Sequence, residues 1–217
     1  MLDAGAAVYR ASEYLSLPEL DIFLTHAHLD HTIGLTFLFS LMRAHPLRRI
    51  TVHGLAENLR AVREHLFAEP LFPVAPPFEM RPLAESVALP GGGRLTHFPL
   101  EHRGGSIGFR LDWPGHSMAY VTDTIADPQA DYVAKIRGVD LLVHECYFSD
   151  EHAAWAEKTG HSHTTPVAEV ARAADVGRLA LVHITPLSTA ADPVGVDTAR
   201  QIFANTVLAE DRMTLEF

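Results

Sequence analysis

Four potential metal ligands fall within six residues: His26, His28, Asp30 and His31, in the run Thr25-His26-Ala27-His28-Leu29-Asp30-His31. In an extended segment, side chains two apart point the same way, so His26 and His28 can reach one cation together. Asp30 and His31 follow where the chain turns into a helical pattern, and they address a second point nearby. Imidazole suits Zn²⁺, Mn²⁺ or Fe, and a carboxylate adds charge. Further candidates recur at the ends of predicted strands: His102, Asp123 and His183. Singly, each is a common structural residue; together and in this order they form a ligand constellation. With 14 His in 217 residues, the composition points the same way.

The elements that must position these residues are short. Residues 20–25 read as a buried strand running straight into the His-rich run, and a helical pattern covers 33–43. Residues 50–53 form a second strand, after which Gly54 opens a helix with Leu55, Leu59, Val62 and Leu66 on one face. Five prolines between 68 and 82 exclude a helix or a central strand there. That stretch is expected to be a long loop, either packed on the core or serving as a lid or association surface. Strands are predicted at 83–89, 94–100, 106–112 and 117–122, with Gly91-Gly92-Gly93 as a hairpin turn. A buried strand at 139–144 follows. Thr165-Pro166 reads as a helix N-cap and first position, ahead of a helix that buries Val167, Val170, Ala171 and Ala174. A strand at 179–183 and a last helix over 196–208 complete an α/β layered fold with its site at one edge of the sheets.

Composition bounds the function. Apolar residues make up 47% and charged residues 20%, an ordinary globular balance. The longest mostly apolar run, 33–42, is about half of a membrane span, and no signal peptide pattern is visible. The single cysteine, Cys146, excludes an internal disulfide framework and fits a reducing, cytoplasmic setting. Cys146 itself reads as a buried strand-end residue. A net charge of −10 argues against a broad nucleic-acid surface. Arg43, Arg48, Arg49, Arg60 and Arg63 read as a solvated helical face, with phosphate holding as the other use.

The chain resembles the metallo-β-lactamase superfamily. HxHxDH is present as His26, His28, Asp30 and His31; the third His matches His102, the bridging Asp matches Asp123, and the last His matches His183. The resemblance implies the four-layer αβ/βα sandwich as one domain over 1–217. It implies His26, His28 and His102 on one metal, Asp30, His31 and His183 on a second, and Asp123 bridging both. Within the superfamily, the ribonuclease Z-like and phosphodiesterase branch is the nearer match. Leu142-Val143-His144-Glu145-Cys146 resembles its HEA segment, Gly160-His161-Ser162 its GHS segment, and Ser106-Ile107-Gly108-Phe109-Arg110 the strand after its third His. That branch implies His161 as proton donor, with the adjacent His163 as the alternative.

Two departures matter. His102 and Asp123 are only 21 residues apart, room for two strands and a turn, and too few for the long arm with which ribonuclease Z grips tRNA. The chain also opens at Leu2-Asp3-Ala4-Gly5, where the family usually has two earlier strands, so a bare sheet edge and apolar face are expected. A homodimer is one way to cover them.

Two divalent ions sharing an oxygen lower the pKa of bound water and clamp substrate oxygens. The expectation is therefore a binuclear hydrolase with Zn²⁺ favoured over Mn²⁺ or Fe. A bridging hydroxide is the nucleophile, Asp30 and His161 are the catalytic side chains, and a small or cyclic phosphodiester is the substrate. Imidazole, with an ordinary pKa of about 6.5, suits protonation of a leaving alkoxide. The alternatives are a lactone, thioester or β-lactam hydrolase with the same metals and, from another class, a non-catalytic metal-binding protein on this fold.

Overall fold

A computed structural model describes residues 1–217. The chain divides into two compact units, Met1–Ala84 and Glu85–Phe217.

The first unit is built on a parallel sheet of order β1-β2-β3: β1 (Glu19–Phe23), β2 (Arg49–Gly54) and β3 (Glu79–Pro82). Leu20 and Ile22 stand opposite Ile50 and Val52. With Leu35, Leu38, Leu41, Leu59 and Val62 from the covering helices they form one core. The predicted helix over 33–43 is broken into two pieces, a 3-10 turn at Ile33–Phe37 and α2 (Leu38–Ala44), with the short α1 (Leu29–Thr32) ahead of them. The cause is a close backbone crossing. The Gly34 N–H donates to the Ala4 carbonyl (2.8 Å), and a Cβ on Gly34 would overlap the Gly5 carbonyl. After α3 (Ala56–Ala61) the chain widens into a π turn, Val62–Leu66.

Two expectations for this unit need correction. Residues 68–82 are not wholly loop, because the last four form β3. Pro82 is tolerated there because β3 is an edge strand, where a missing N–H costs no ladder bond. Phe72 packs against Phe39 and Phe67, and Phe67 against Phe78, so the stretch lies partly on the core while Leu71 and Val74 stay exposed. The outer edge of β1 is not bare either. Asp3 N–H donates to Phe23 O and Phe23 N–H to Met1 O, both at 2.9 Å, so the first residues pair along it.

The second unit carries a seven-stranded sheet of order β10-β9-β8-β7-β6-β5-β4. Strands β4 (Ser86–Leu89), β5 (Gly93–Leu100), β6 (Ser106–Trp113) and β7 (His116–Val121) form an antiparallel meander. Strands β8 (Leu141–Glu145), β9 (Arg178–Val182) and β10 (Thr206–Leu208) add on in parallel, joined through helices α4 (Asp131–Lys135), α5 (Ala153–Thr159), α6 (Thr164–Ala173) and α7 (Val196–Ile202). Leu142, Leu179 and Leu181 pack with Val167, Val170 and Ala171 of α6. Burial of the parallel strands by helices explains why 139–144 and 179–183 read as continuous apolar runs.

Helix α6 starts at Thr164 rather than at 166, with Pro166 still inside the first turn, where its missing N–H is harmless. Its cap comes from a distance: Asp150 accepts the Thr165 N–H (2.9 Å) and hydroxyl (2.7 Å). The last helix predicted over 196–208 ends at Ile202. Phe203 turns extended, and Thr206–Leu208 pairs with β9, a partner that only tertiary structure supplies.

The two sheets and their helices match the mixed α/β class read from the sequence. No helix is long and apolar enough to cross a membrane.

Candidate metal centre

In the first unit, the ligand run begins just past β1. Leu24 and Thr25 are buried, and His28 caps α1, so the chain turns into a helix within five residues of the strand. The His26 ring lies 4.4 Å from that of His28 and 4.3 Å from that of His31, centroid to centroid. Asp30 Oδ2 is 3.5 Å from His31 Nε2 and is largely exposed.

Asp3, which sequence reasoning did not single out, holds this half together. Its buried carboxylate accepts the Thr25 N–H (2.8 Å), the Thr25 hydroxyl (2.9 Å) and the His31 Nδ1–H (2.9 Å). Since the Thr25 hydroxyl donates to Asp3, its oxygen accepts from His26 Nδ1 at 3.0 Å. Both imidazoles therefore carry hydrogen on Nδ1 and a lone pair on Nε2, the form a metal takes. The only sequence signal was a carboxylate two residues before a glycine, in the Leu2-Asp3-Ala4-Gly5 segment.

In the second unit, His102 lies just beyond β5. Its Nδ1 hydrogen-bonds the Gly160 carbonyl (2.9 Å); a carbonyl only accepts, so Nε2 again holds the lone pair. Asp123, 1% exposed, ends β7 and sends one oxygen to each of two histidines. Oδ2 is 3.7 Å from His102 Nε2, and Oδ1 is 3.4 Å from His183 Nε2. The Thr122 hydroxyl fixes the carboxylate by donating to Oδ1. Asp123 (φ 49°), His183 (φ 55°) and Asp3 (φ 54°) all adopt the left-handed backbone that disfavours side chains. Such strain collects at functional positions.

His161 sits beside these ligands. Its Nδ1 is 3.1 Å from Glu145 Oε1, and its ring stacks on Tyr147 at 4.7 Å and lies 5.5 Å from His183. Ligand atoms of Glu145, His161 and His183 come within 4.8 Å of one another. Glu145 is fully buried and also accepts the backbone N–H groups of Thr124 (2.8 Å) and Ser162 (3.1 Å). His163 points elsewhere: its Nδ1 is bound to Asp150 at 2.6 Å, next to the α6 cap. His144, adjacent to Glu145, is structural. It is fully buried between Tyr132 and the Glu145 carbonyl, and burial pushes its pKa down, keeping it neutral. Cys146 is buried at the end of β8, and burial pushes its thiol up to about 12. Neither Glu145 nor Tyr147 was assigned a role from sequence. The available clue for Glu145 was a carboxylate in the His144-Glu145-Cys146 segment that closes an apolar run.

Known proteins resemble this chain at three levels. A family model described as a beta-lactamase superfamily domain matches residues 2–184. Ribonuclease Z of Archaeoglobus fulgidus is 30% identical over 248 residues, covering 90% of this chain and 80% of that protein. Ribonuclease Z of Prochlorococcus marinus (strain MIT 9303) is 38% identical over 109 residues, covering 48% of this chain and 34% of that protein. The matched part thus spans about a third of that relative's length. The metallo-beta-lactamase fold protein YhfI from Bacillus subtilis has the same fold. Its TM-score is 0.79 at 18% identity, over 99% of this chain and 86% of its own.

Proposed function

Because the chain belongs to the beta-lactamase superfamily, we propose that it is a binuclear metal-dependent hydrolase that cleaves phosphodiesters. On this reading His26, His28 and His102 hold one divalent ion, Asp30, His31 and His183 hold the other, and Asp123 serves both. The donor set fits such ions. It combines neutral imidazoles whose Nδ1–H is tied to oxygen with carboxylates that offset the charge. Bound ions, with Zn²⁺ favoured over Mn²⁺ or Fe, supply an acidified water as nucleophile and polarise the phosphoryl oxygens.

The observation that carries the phosphodiester reading is the His161–Glu145 pair beside His183. His161 gives its Nε2 proton to the leaving alkoxide as the P–O bond breaks. Glu145, holding Nδ1, orients the ring and stabilises the protonated imidazole before transfer. The stacked Tyr147 limits its rotation. Asp123, whose two oxygens face His102 and His183, would serve both ions, and Asp30 would serve the second.

Between His102 and Asp123 the chain has only the β6–β7 hairpin, which supports a small or cyclic phosphodiester over tRNA. A cytoplasmic setting agrees with the single reduced thiol. Any homodimer would use the exposed apolar side chains around Leu71 and Val74.

The test is hydrolysis of an aryl phosphodiester by metal-stripped protein, titrated with Zn²⁺ or Mn²⁺. Activity should return and saturate near two ions per chain. His161→Ala should lower phosphodiester turnover by about 10²–10⁴-fold while sparing an activated lactone. Two ions bound with turnover of the lactone alone, or full phosphodiesterase activity in His161→Ala, overturns the reading.

A further inference from the structure

Glu145 is the fixed end of the proton-donating pair, and it is wholly buried. Its Oε1 holds His161 Nδ1 (3.1 Å) and accepts the Thr124 N–H (2.8 Å), while Oε2 accepts the Ser162 N–H (3.1 Å). The two backbone donors come from different segments of the second unit. Thr124 follows β7, and Ser162 lies between α5 and α6. The carboxylate therefore keeps its place only while those segments keep theirs.

The Ser162 side chain joins them. Its hydroxyl donates to the Thr124 carbonyl (2.7 Å) and accepts the Ala126 N–H (2.9 Å), groups 38 and 36 residues earlier in the chain. Ser162 is 1% exposed, so bulk water does not compete for either bond. Asp123 precedes Thr124, its Oδ1 held by the Thr122 hydroxyl (2.8 Å), and His161 precedes Ser162. One hydroxyl thus spans the segment that carries Asp123 and the segment that carries His161. Helix capping does not account for it. The start of α6 is capped by Asp150, through the Thr165 N–H and hydroxyl.

We propose that Ser162 is a positioning residue for hydrolysis, acting through Thr124 and Glu145 to hold His161 in line with the departing oxygen. The inference rests on the phosphodiesterase reading above. In that reaction the P–O bond breaks as the His161 proton reaches the departing oxygen, which leaves as the alcohol, and an oxygen from water replaces it on phosphorus. A donor displaced by about 1 Å loses roughly 10²-fold in rate. The loss falls on leaving groups that need the proton, and not on those that depart as stable anions.

The experiment compares Ser162→Ala with wild type on two phosphodiesters differing only in the leaving group, an alkoxide or p-nitrophenolate. In zinc-loaded protein, kcat for the alkyl diester should fall about 10–100-fold, and kcat for the nitrophenyl diester by no more than about threefold. A second readout needs no turnover. In metal-free protein the Ala126 and Thr124 amides should both exchange hydrogen about tenfold faster, the second because its bond to Glu145 loosens. If Ser162→Ala does not fold, Ser162→Cys, close in size with weaker hydrogen bonds, should show the same selectivity, about three- to tenfold on the alkyl diester. Equal loss on both diesters, or none on either, overturns the proposal alone. Faster exchange at Ala126 with Thr124 unchanged also overturns it, since the link then stops short of Glu145. Wild-type protein with two bound ions and no turnover of either diester overturns the phosphodiesterase reading and this inference with it.

Discussion

Replacing Asp3 with Asn exchanges one carboxylate oxygen for an NH₂ group and should disable the first unit's half of the proposed ligand set. The Asp3 carboxylate accepts from the Thr25 N–H on one oxygen and from His31 Nδ1–H on the other. An Asn amide has one acceptor oxygen and one donor nitrogen, the NH₂ group. Whichever way it flips, an NH₂ group faces an N–H. If it faces His31, the ring must move its proton to Nε2 or rotate, and the lone pair meant for the metal is lost. If it faces Thr25, the backbone N–H of a buried residue goes unpaired. A hydrogen bond to a charged group contributes roughly 1.5–3 kcal/mol. Loss of such an orienting partner typically costs about 10–100-fold in metal affinity. We expect Asp3→Asn to weaken Zn²⁺ by that factor, measured by competition with a chromophoric chelator. The melting temperature of the metal-free protein should fall as well. Asp3→Glu, which keeps the charge, should recover part of the affinity. Wild-type affinity for every bound ion in Asp3→Asn would refute the tautomer argument, whatever happens to stability.

Two other outcomes follow from ionisable groups away from the ligands. Cys146 should be inert to a thiol reagent at pH 8 in the native protein, because burial holds its thiol up near 12. It should react stoichiometrically once urea unfolds the chain, and fast native labelling would contradict the packing. Asp140 accepts the backbone N–H (2.7 Å) and hydroxyl (3.0 Å) of Ser117, and these bonds hold its carboxyl below the usual range. Its contribution is therefore present above about pH 3.9, the ordinary Asp pKa, and is lost as pH falls through the lower folded value. Thermal melts from pH 2 to 6 should show a shallower acid limb in Asp140→Asn; an unchanged limb would rule out this linkage.

Local pattern carried the sequence reading where neighbours along the chain decide the outcome. The apolar runs at 20–25 and 179–183 became parallel strands, because strands covered by helices need continuous hydrophobicity. The His26-His28-Asp30-His31 spacing marked a ligand set, because alternation along a strand end is a property of the backbone alone. What failed depended on distant partners. Gly34 lies against Ala4 and Gly5, which turns a predicted helix into a 3-10 segment. Residues 206–208 become a strand only because β9 offers an edge, and 79–82 only because β2 does. Asp150 caps a helix that begins fourteen residues later.

The same division runs through the site. The proposed ligands were legible as residue type and order: His102, Asp123 and His183 stand just past the ends of β5, β7 and β9. The choice of His161 over His163 for the place beside His183 was made by Glu145 and Asp150, which draw the two rings in different directions. The tautomers of His26, His31 and His102 were set by Thr25, Asp3 and the Gly160 carbonyl. Sequence specifies which atoms can bind a metal. The proton on each imidazole is fixed by whichever oxygen the fold brings to the other nitrogen, and for His31 and His102 that oxygen lies 28 and 58 residues away.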